Sequence, residues 1–212
     1  MSFSERLESW KKVALSPVAA FADEAAKSER GFKDGLENYG TPLLLVYLPL
    51  MAIGMIMLGQ FNIMLPVAVL FGVGTVAFFI LIATLVYAAI SYAVSMLLGG
   101  KAPFGRLYYM ISLPFAPMYT INGAIAILSM IIGALLGNSV GGIMSTVSML
   151  AGILLALYGL YMLTLSLDAL YRYGKLKAVI AWLVPTIVMA GIVIVMFGVA
   201  LFSMLGLMAK GY

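Results

Sequence analysis

Between Glu37 and Lys101 the chain has no charged side chain, and after Glu37 its only carboxylate is Asp168. A water-soluble domain needs charge spread along its whole length to keep its surface hydrated. A bilayer lifts that requirement, because its hydrocarbon core is itself the solvent for apolar side chains. The apolar runs are continuous and do not alternate with period two, which excludes a β-barrel. Composition agrees: 64% of the 212 residues are hydrophobic and only 9% are charged. The fold class that follows is an all-α integral membrane protein.

Apolar runs divided by turn residues predict five spans, at residues 42–58, 66–98, 107–136, 143–170 and 179–208. The second run would be on the order of 50 Å long as a helix, well beyond a hydrocarbon core of roughly 30 Å. It must tilt, kink near Gly72 and Gly74, or project beyond the bilayer.

Residues 1–40 form a separate cytosolic or interfacial segment ahead of a spanning domain at 41–212. With six Lys/Arg against seven Asp/Glu, that segment is close to neutral. Phe3, Leu7, Trp10 and Ala14 at helical spacing predict an amphipathic helix at the headgroup boundary, with Trp10 as anchor. Ser16-Pro17 restarts a second helix that Gly31 ends, by a capping serine and a proline at the first helical position. Both helices are expected to dock onto the bundle. About forty polar residues precede the first long apolar run, so the first span is expected to be retained and not cleaved as a signal peptide.

Charge in the turns sets orientation. The turns at 59–66 and 137–142 carry none, whereas Lys101 and Arg106 lie in one alternate turn and Arg172, Lys175 and Lys177 in the other. The positive-inside rule then puts the amino end in the cytosol and the carboxyl end outside. Only Lys210 falls on the far side. The expected location is the cytoplasmic membrane, crossed several times.

Little in the sequence suggests catalysis. There is no histidine or cysteine, and no zincin, paired-aspartate, nucleophile-elbow or Walker pattern. No enzyme activity, cofactor or metal is expected. Asp168 can meet Arg172 one turn nearer the cytosol and Thr164 one turn deeper. It reads as a structural ion pair, with a proton or cation site as the alternative. Pro114 and Pro117 each free a carbonyl inside a span, which needs a partner from a neighbouring helix or from water. Gly133, Gly137 and Gly141, together with Gly152/Gly159 and Gly191/Gly198, are small residues of the kind that let spans approach within one bundle.

Gly99-Gly100-Lys101, Phe104 and Ser112-Leu113-Pro114 resemble the loop region of the Ypt-interacting protein (Yip) family, in its prokaryotic branch. The family often writes Gly-Gly, a basic residue, a Phe, then Tyr-x-Ser-x-Pro; here Met110 holds the tyrosine position and Tyr109 precedes it by one. Lys177-Ala178 before Pro185, and Pro17 with Phe21, are further echoes. Glu37-Asn38-Tyr39-Gly40-Thr41-Pro42 distantly resembles the Asp-Leu-Tyr-Gly-Pro element of eukaryotic members. The resemblance implies five spans, a cytosolic amino end and a general role at the membrane. Eukaryotic relatives act in vesicle traffic with Rab-type GTPases, and that binding is not carried over to this chain.

Two functions are therefore expected of the sequence. The first is non-enzymatic organisation of membrane or protein partners through Gly99, Gly100, Lys101, Phe104, Arg106, Lys175 and Lys177. The alternative is a small-solute or ion transporter or channel using the kinks at Pro114 and Pro117 and the polar groups Asn122 and Asp168, with Arg172 beside the latter. Expected partners are membrane lipids, anionic ones among them, and a membrane protein or a second copy. Nucleic acid is not expected, because the basic residues lie at the turns and form no extended basic stripe.

Overall fold

A computed structural model describes the backbone of residues 2–57 and 65–209, and most side chains as far as Met196. The described residues are helical throughout apart from short turns, with no strand among them. The helices are α1 (Phe3–Leu15), α2 (Pro17–Ala26), α3 (Phe32–Pro42), a π-helical stretch (Leu43–Tyr47), α4 (Leu48–Met57), α5 (Leu65–Leu97), α6 (Phe104–Leu136), α7 (Asn138–Tyr171) and α8 (Lys175–Ala209). The turn expected around Gly59 to Asn62, and Lys210, lie outside the described residues.

Five helices are long and apolar enough to cross a membrane: Phe32–Ile56, Val67–Leu97, Phe104–Leu136, Val140–Tyr171 and Lys175–Met196. The first begins ten residues before the expected start at 42, so a continuous helix crosses the boundary expected at 40–41. Pro42 has helical backbone angles, φ −61° and ψ −36°, and lacks only the N–H. The π-helical stretch that follows takes up the lost register, so the chain does not need to restart. Asn38 and Tyr39, in the segment expected to lie ahead of the spans, are buried against α6.

Local signals set most of the other ends. Ser2 and Glu5 form a capping box at the start of α1, and Pro17 opens α2. α2 stops at Ala26 and not at Gly31, and the backbone N–H of Lys27 bonds to the Glu24 carbonyl. α5 closes in a Schellman motif: Gly99 N–H reaches the Met96 carbonyl and Gly100 N–H the Ser95 carbonyl, with Gly99 at φ +96°. The expected 137–142 turn shrinks to Gly137 at φ +87°, and α7 begins at Asn138. A single left-handed glycine is enough to reverse the chain between α6 and α7.

α6 is the central element, packing against α7, α3 and α1; α5 pairs with α8, and α2 lies along α7. Its first half is sealed in protein: Leu107 through Pro114, then Ala116, Pro117 and Met118, are buried. Two core clusters meet there. One joins Val13, Ala20 and Phe21 to Tyr109, Met110, Leu113, Met162 and Leu165. The other joins Tyr39 and Ala88 to Leu107, Tyr108, Ile111, Leu163, Leu167, Ala178 and Ala181.

The other half of the bundle is the reverse, with large apolar side chains facing outward. They run from Val67 to Val86 on α5, Ile121 to Leu136 on α6 and Ile143 to Leu157 on α7; at the basic end Met96 and Leu97 of α5 and Leu176 of α8 are exposed as well. On α5 that band is about 30 Å long, although the whole 33-residue helix is about 50 Å. The surplus length projects at the basic end, where α3 touches it and α1 and α2 cover α6 and α7.

Candidate functional site

The sheathed end of α6 contains a buried polar network that ties the amino-terminal helices to the bundle. Trp10 Nε1 donates to Asn38 Oδ1 (3.0 Å), and Asn38 Nδ2 donates to Ser112 Oγ (2.9 Å). Ser112 Oγ in turn donates to the Tyr109 carbonyl (2.7 Å). Beside it, the Glu24 carboxylate is only 4% exposed. It accepts from Tyr109 Oη (2.7 Å), Ser9 Oγ (3.2 Å) and Lys27 Nζ (2.8 Å). Burial pulls the Lys27 ammonium pKa down, but hydrogen bonds and charge from Glu24 and Asp23 outweigh it, and the net shift is upward. Arg6 pairs with Glu37 and donates to Thr41 Oγ1.

Trp10 thus belongs to the interior and does not anchor in headgroups as the sequence predicted; it is 3% exposed. Arg6, Ser9, Trp10 and Val13 form the buried face of α1, while Phe3 and Leu7 are exposed. The face is rotated from the expected one because the indole N–H finds an amide acceptor on α3, which outweighs apolar matching alone. Sequence reasoning missed Glu24, Asn38 and Tyr109 as a group. One signal was present: Glu24 shares the α2 face of Ala20 and Phe21, and a carboxylate on an apolar face calls for a buried partner.

The expected loop residues gather at this same end, in two kinds of environment. Gly99, Gly100, Phe104 and Arg106 serve the fold. Gly100 lies so close to the Tyr171 ring that a Cβ would stand 2.7 Å from it. Phe104 packs against Tyr92, Phe32 and Tyr108. The Arg106 guanidinium turns inward and donates to the Ala25 carbonyl of α2. By contrast, Lys101, Arg172, Lys175 and Lys177 are exposed, and no ion pair among the described residues includes them. Lys177 Nζ also reaches the Leu98 carbonyl (3.2 Å), linking the two basic turns. A neighbouring cleft of about 190 Å³, lined by Glu5, Glu8, Lys12, Asp23, Lys27 and Arg30, mixes both signs.

Asp168 does not pair with Arg172 among the described ion pairs. Its Oδ1 accepts from the Gly174 N–H (2.9 Å), across a turn in which Arg172 takes left-handed angles, φ 53°. Arg172 caps the end of α7 in that conformation and is aimed at solvent. Thr164 Oγ1 instead accepts from Trp182 Nε1 (2.9 Å).

Two of the proline-freed carbonyls have a side-chain donor. Pro114 lacks the N–H that would bond the Met110 carbonyl, and Ser166 Oγ of α7 donates there (2.6 Å). Pro185 does the same to Ala181, whose carbonyl accepts from Ser91 Oγ of α5 (2.9 Å). In each case a serine on a neighbouring helix supplies the missing donor. Pro117, also buried, lies one turn deeper in α6.

Asn122 is exposed and lines a cleft of about 280 Å³ between α6 and α7, with Phe115, Met118, Gly152 and Gly159. Asp168 is not part of it. Gly133 and Gly141 face each other across the α6–α7 seam, so these small residues act within one chain.

No group of side chains able to hold a metal is found among the described residues. The chemistry on offer is cationic: four exposed basic heads outside the described ion pairs, above a polar core that leaves Arg6 Nε, Arg30 Nε and Tyr171 Oη without a hydrogen-bond partner. Comparison with known proteins found no matching family model, curated protein or solved structure.

Proposed function

We propose that this chain is a multi-pass integral membrane protein of the cytoplasmic membrane that organises anionic lipid or an acidic protein surface through its basic end, without catalysis. The amino end and the basic turns face the cytosol and the carboxyl end lies outside, as the alternation of turn charge requires. The observation that carries this reading is the set of exposed heads of Lys101, Arg172, Lys175 and Lys177 at one end of a bundle, none of them in a described ion pair. The same bundle exposes an apolar band about 30 Å long, the thickness of a hydrocarbon core. Basic residues next to such a band attract anionic headgroups.

A Yip-like role fits the way the residues that carry the resemblance are used. Gly99, Gly100, Phe104, Ser112 and Pro114 shape the loop and lock it to α3, α5 and α7, leaving Lys101 free outside.

The test is a variant with Lys101, Arg172, Lys175 and Lys177 all changed to Gln, extracted in native-like lipid. Mass spectrometry of bound lipid and protein should show anionic lipid or an acidic partner lost relative to wild type. Retention of both at wild-type levels overturns the proposal. A second reading, passage of a small solute, draws on the α6–α7 cleft at Asn122. It requires flux in proteoliposomes that Asn122→Ala abolishes.

A further inference from the structure

The corner between α1 and α2 carries two large aliphatic side chains that the described residues leave largely uncovered: Leu15 is 72% exposed and Val18 63%. The core does not need them, because the corner commits Val13, Ala20 and Phe21 to it. Elsewhere the outward face of α1 is mostly charged, with Glu5, Glu8, Lys11 and Lys12 exposed. From Val13 to Ala22 no residue is charged.

Position gives this apolar corner a meaning. Tyr158 Oη of α7 donates to the Ala14 carbonyl (2.9 Å), which fixes the corner's level along the bundle. From the basic tip of α7 at Tyr171 down to Tyr158 is about 20 Å. On α5, the run of exposed apolar side chains from Val67 ends at Val86, about 17 Å below the tip, where Met96 and Leu97 are exposed again. The corner therefore lies in the plane where that run ends. On α7 the band continues without a break: Leu157 is 59% exposed, and Leu154, one turn deeper on the Tyr158 face, is 68% exposed. Charge is graded along the same direction. Lys11 and Lys12 flank the corner, Lys12 paired with Glu8 one turn back (2.9 Å), whereas Glu5, Asp23 and Glu24 lie further along their helices, away from it. Amphipathic segments that enter an interface combine apolar side chains below with basic ones at headgroup level.

We infer that the α1–α2 corner is a second membrane contact, in which Leu15 and Val18 enter the headgroup–acyl boundary of the leaflet on the basic side, with Lys11 and Lys12 at the headgroups. The occupant is lipid, because the corner continues the apolar band and its nearest charges are basic. This inference rests on the membrane reading above. It also moves the membrane contact of the amino-terminal segment from Trp10, which is internal, to the turn.

The chain has no cysteine, so single-cysteine variants need no background substitutions. Leu15→Cys and Val18→Cys test the corner, Ile153→Cys serves as the span control and Glu8→Cys as the aqueous control; all four positions are exposed. Each is labelled with the fluorophore NBD and reconstituted in phosphatidylcholine–phosphatidylglycerol vesicles. The acyl chains are brominated at shallow or deep positions. The expected result is a blue-shifted emission at Leu15 and Val18 quenched most by shallow bromines. Ile153 should be quenched by deeper bromines, and Glu8 only by aqueous iodide. If Ile153 is quenched by lipid while Leu15 and Val18 behave like Glu8, the corner proposal falls and the membrane reading stands. If the corner labels are shielded from iodide and from both lipids, another protein surface covers the corner and the proposal is equally overturned. If Ile153 itself is not quenched by lipid, the membrane reading fails first.

Discussion

Glu24 is a buried carboxylate held by Tyr109 of α6, Ser9 of α1 and Lys27 just past its own helix; removing it takes the acceptor from Tyr109 and Ser9, while Lys27 keeps Asp23. Glu24→Ala is expected to cost roughly 1–3 kcal/mol for the orphaned Tyr109 hydroxyl alone. The loss should appear as a lower thermal midpoint in detergent and as faster proteolysis within α1–α2. Glu24→Gln still accepts from Tyr109 and should lose less. Lys27 adds a pH dependence whose sign is fixed. Its folded pKa is raised above the ordinary 10.5, so its contribution is complete below that value and disappears as pH rises through the folded pKa. The α1–α2 cap should therefore hold through neutral pH and loosen only at strongly alkaline pH. Trp10 emission in a Trp182→Phe background would report that loosening as a red shift; a shift near neutral pH would contradict the assignment. At this scale the sequence was partly legible. The apolar face around Glu24 could be seen, but its partner Tyr109 is 85 positions away and nothing local points to it.

For the helices, termini were the most legible feature and proline sites the most instructive. Gly99 ends α5 and Gly137 ends α6 because few residues other than glycine accept their positive φ, a requirement written locally. Pro114 and Pro185 were equally visible, but not the hydroxyls that complete them. The pairing can be measured as a cycle. Ser166→Ala should destabilise the bundle by roughly 1–3 kcal/mol, because the Met110 carbonyl then lacks a donor in a dry environment. In a Pro114→Ala background the backbone N–H of residue 114 is restored, and the same substitution should cost clearly less. Equal costs in both backgrounds would show that Ser166 acts by packing alone. Pro42 taught the opposite lesson. A proline after polar residues looked like the start of a span, yet the helix runs through it by shifting to π register.

The whole molecule divides along its axis into a protein-covered block and an outward-facing apolar band. The basic rim lies at the covered end, and its side chains support no described contact beyond the Lys177 link to Leu98. Changing Lys101, Arg172, Lys175 and Lys177 to Gln should therefore shift the thermal midpoint little, because surface substitutions of this kind usually stay within about 0.5 kcal/mol each. A large loss of stability would mean that the rim is structural, and would remove its availability to a partner.

The sequence alone determined that the chain is helical, that it has five helices long and apolar enough to cross a membrane, and that basic residues gather at alternate turns. Hydropathy, capping residues and charge are local properties, and a run of residues displays them whatever its neighbours do. Only the tertiary structure decided which 30 Å or so of the roughly 50 Å helices faces outward. An apolar residue reads the same whether lipid or α1–α3 covers it. The buried partners of Asn38, Glu24, Met110 and Ala181 were decided in the same way, since donors and acceptors remote in sequence meet only once the helices have packed.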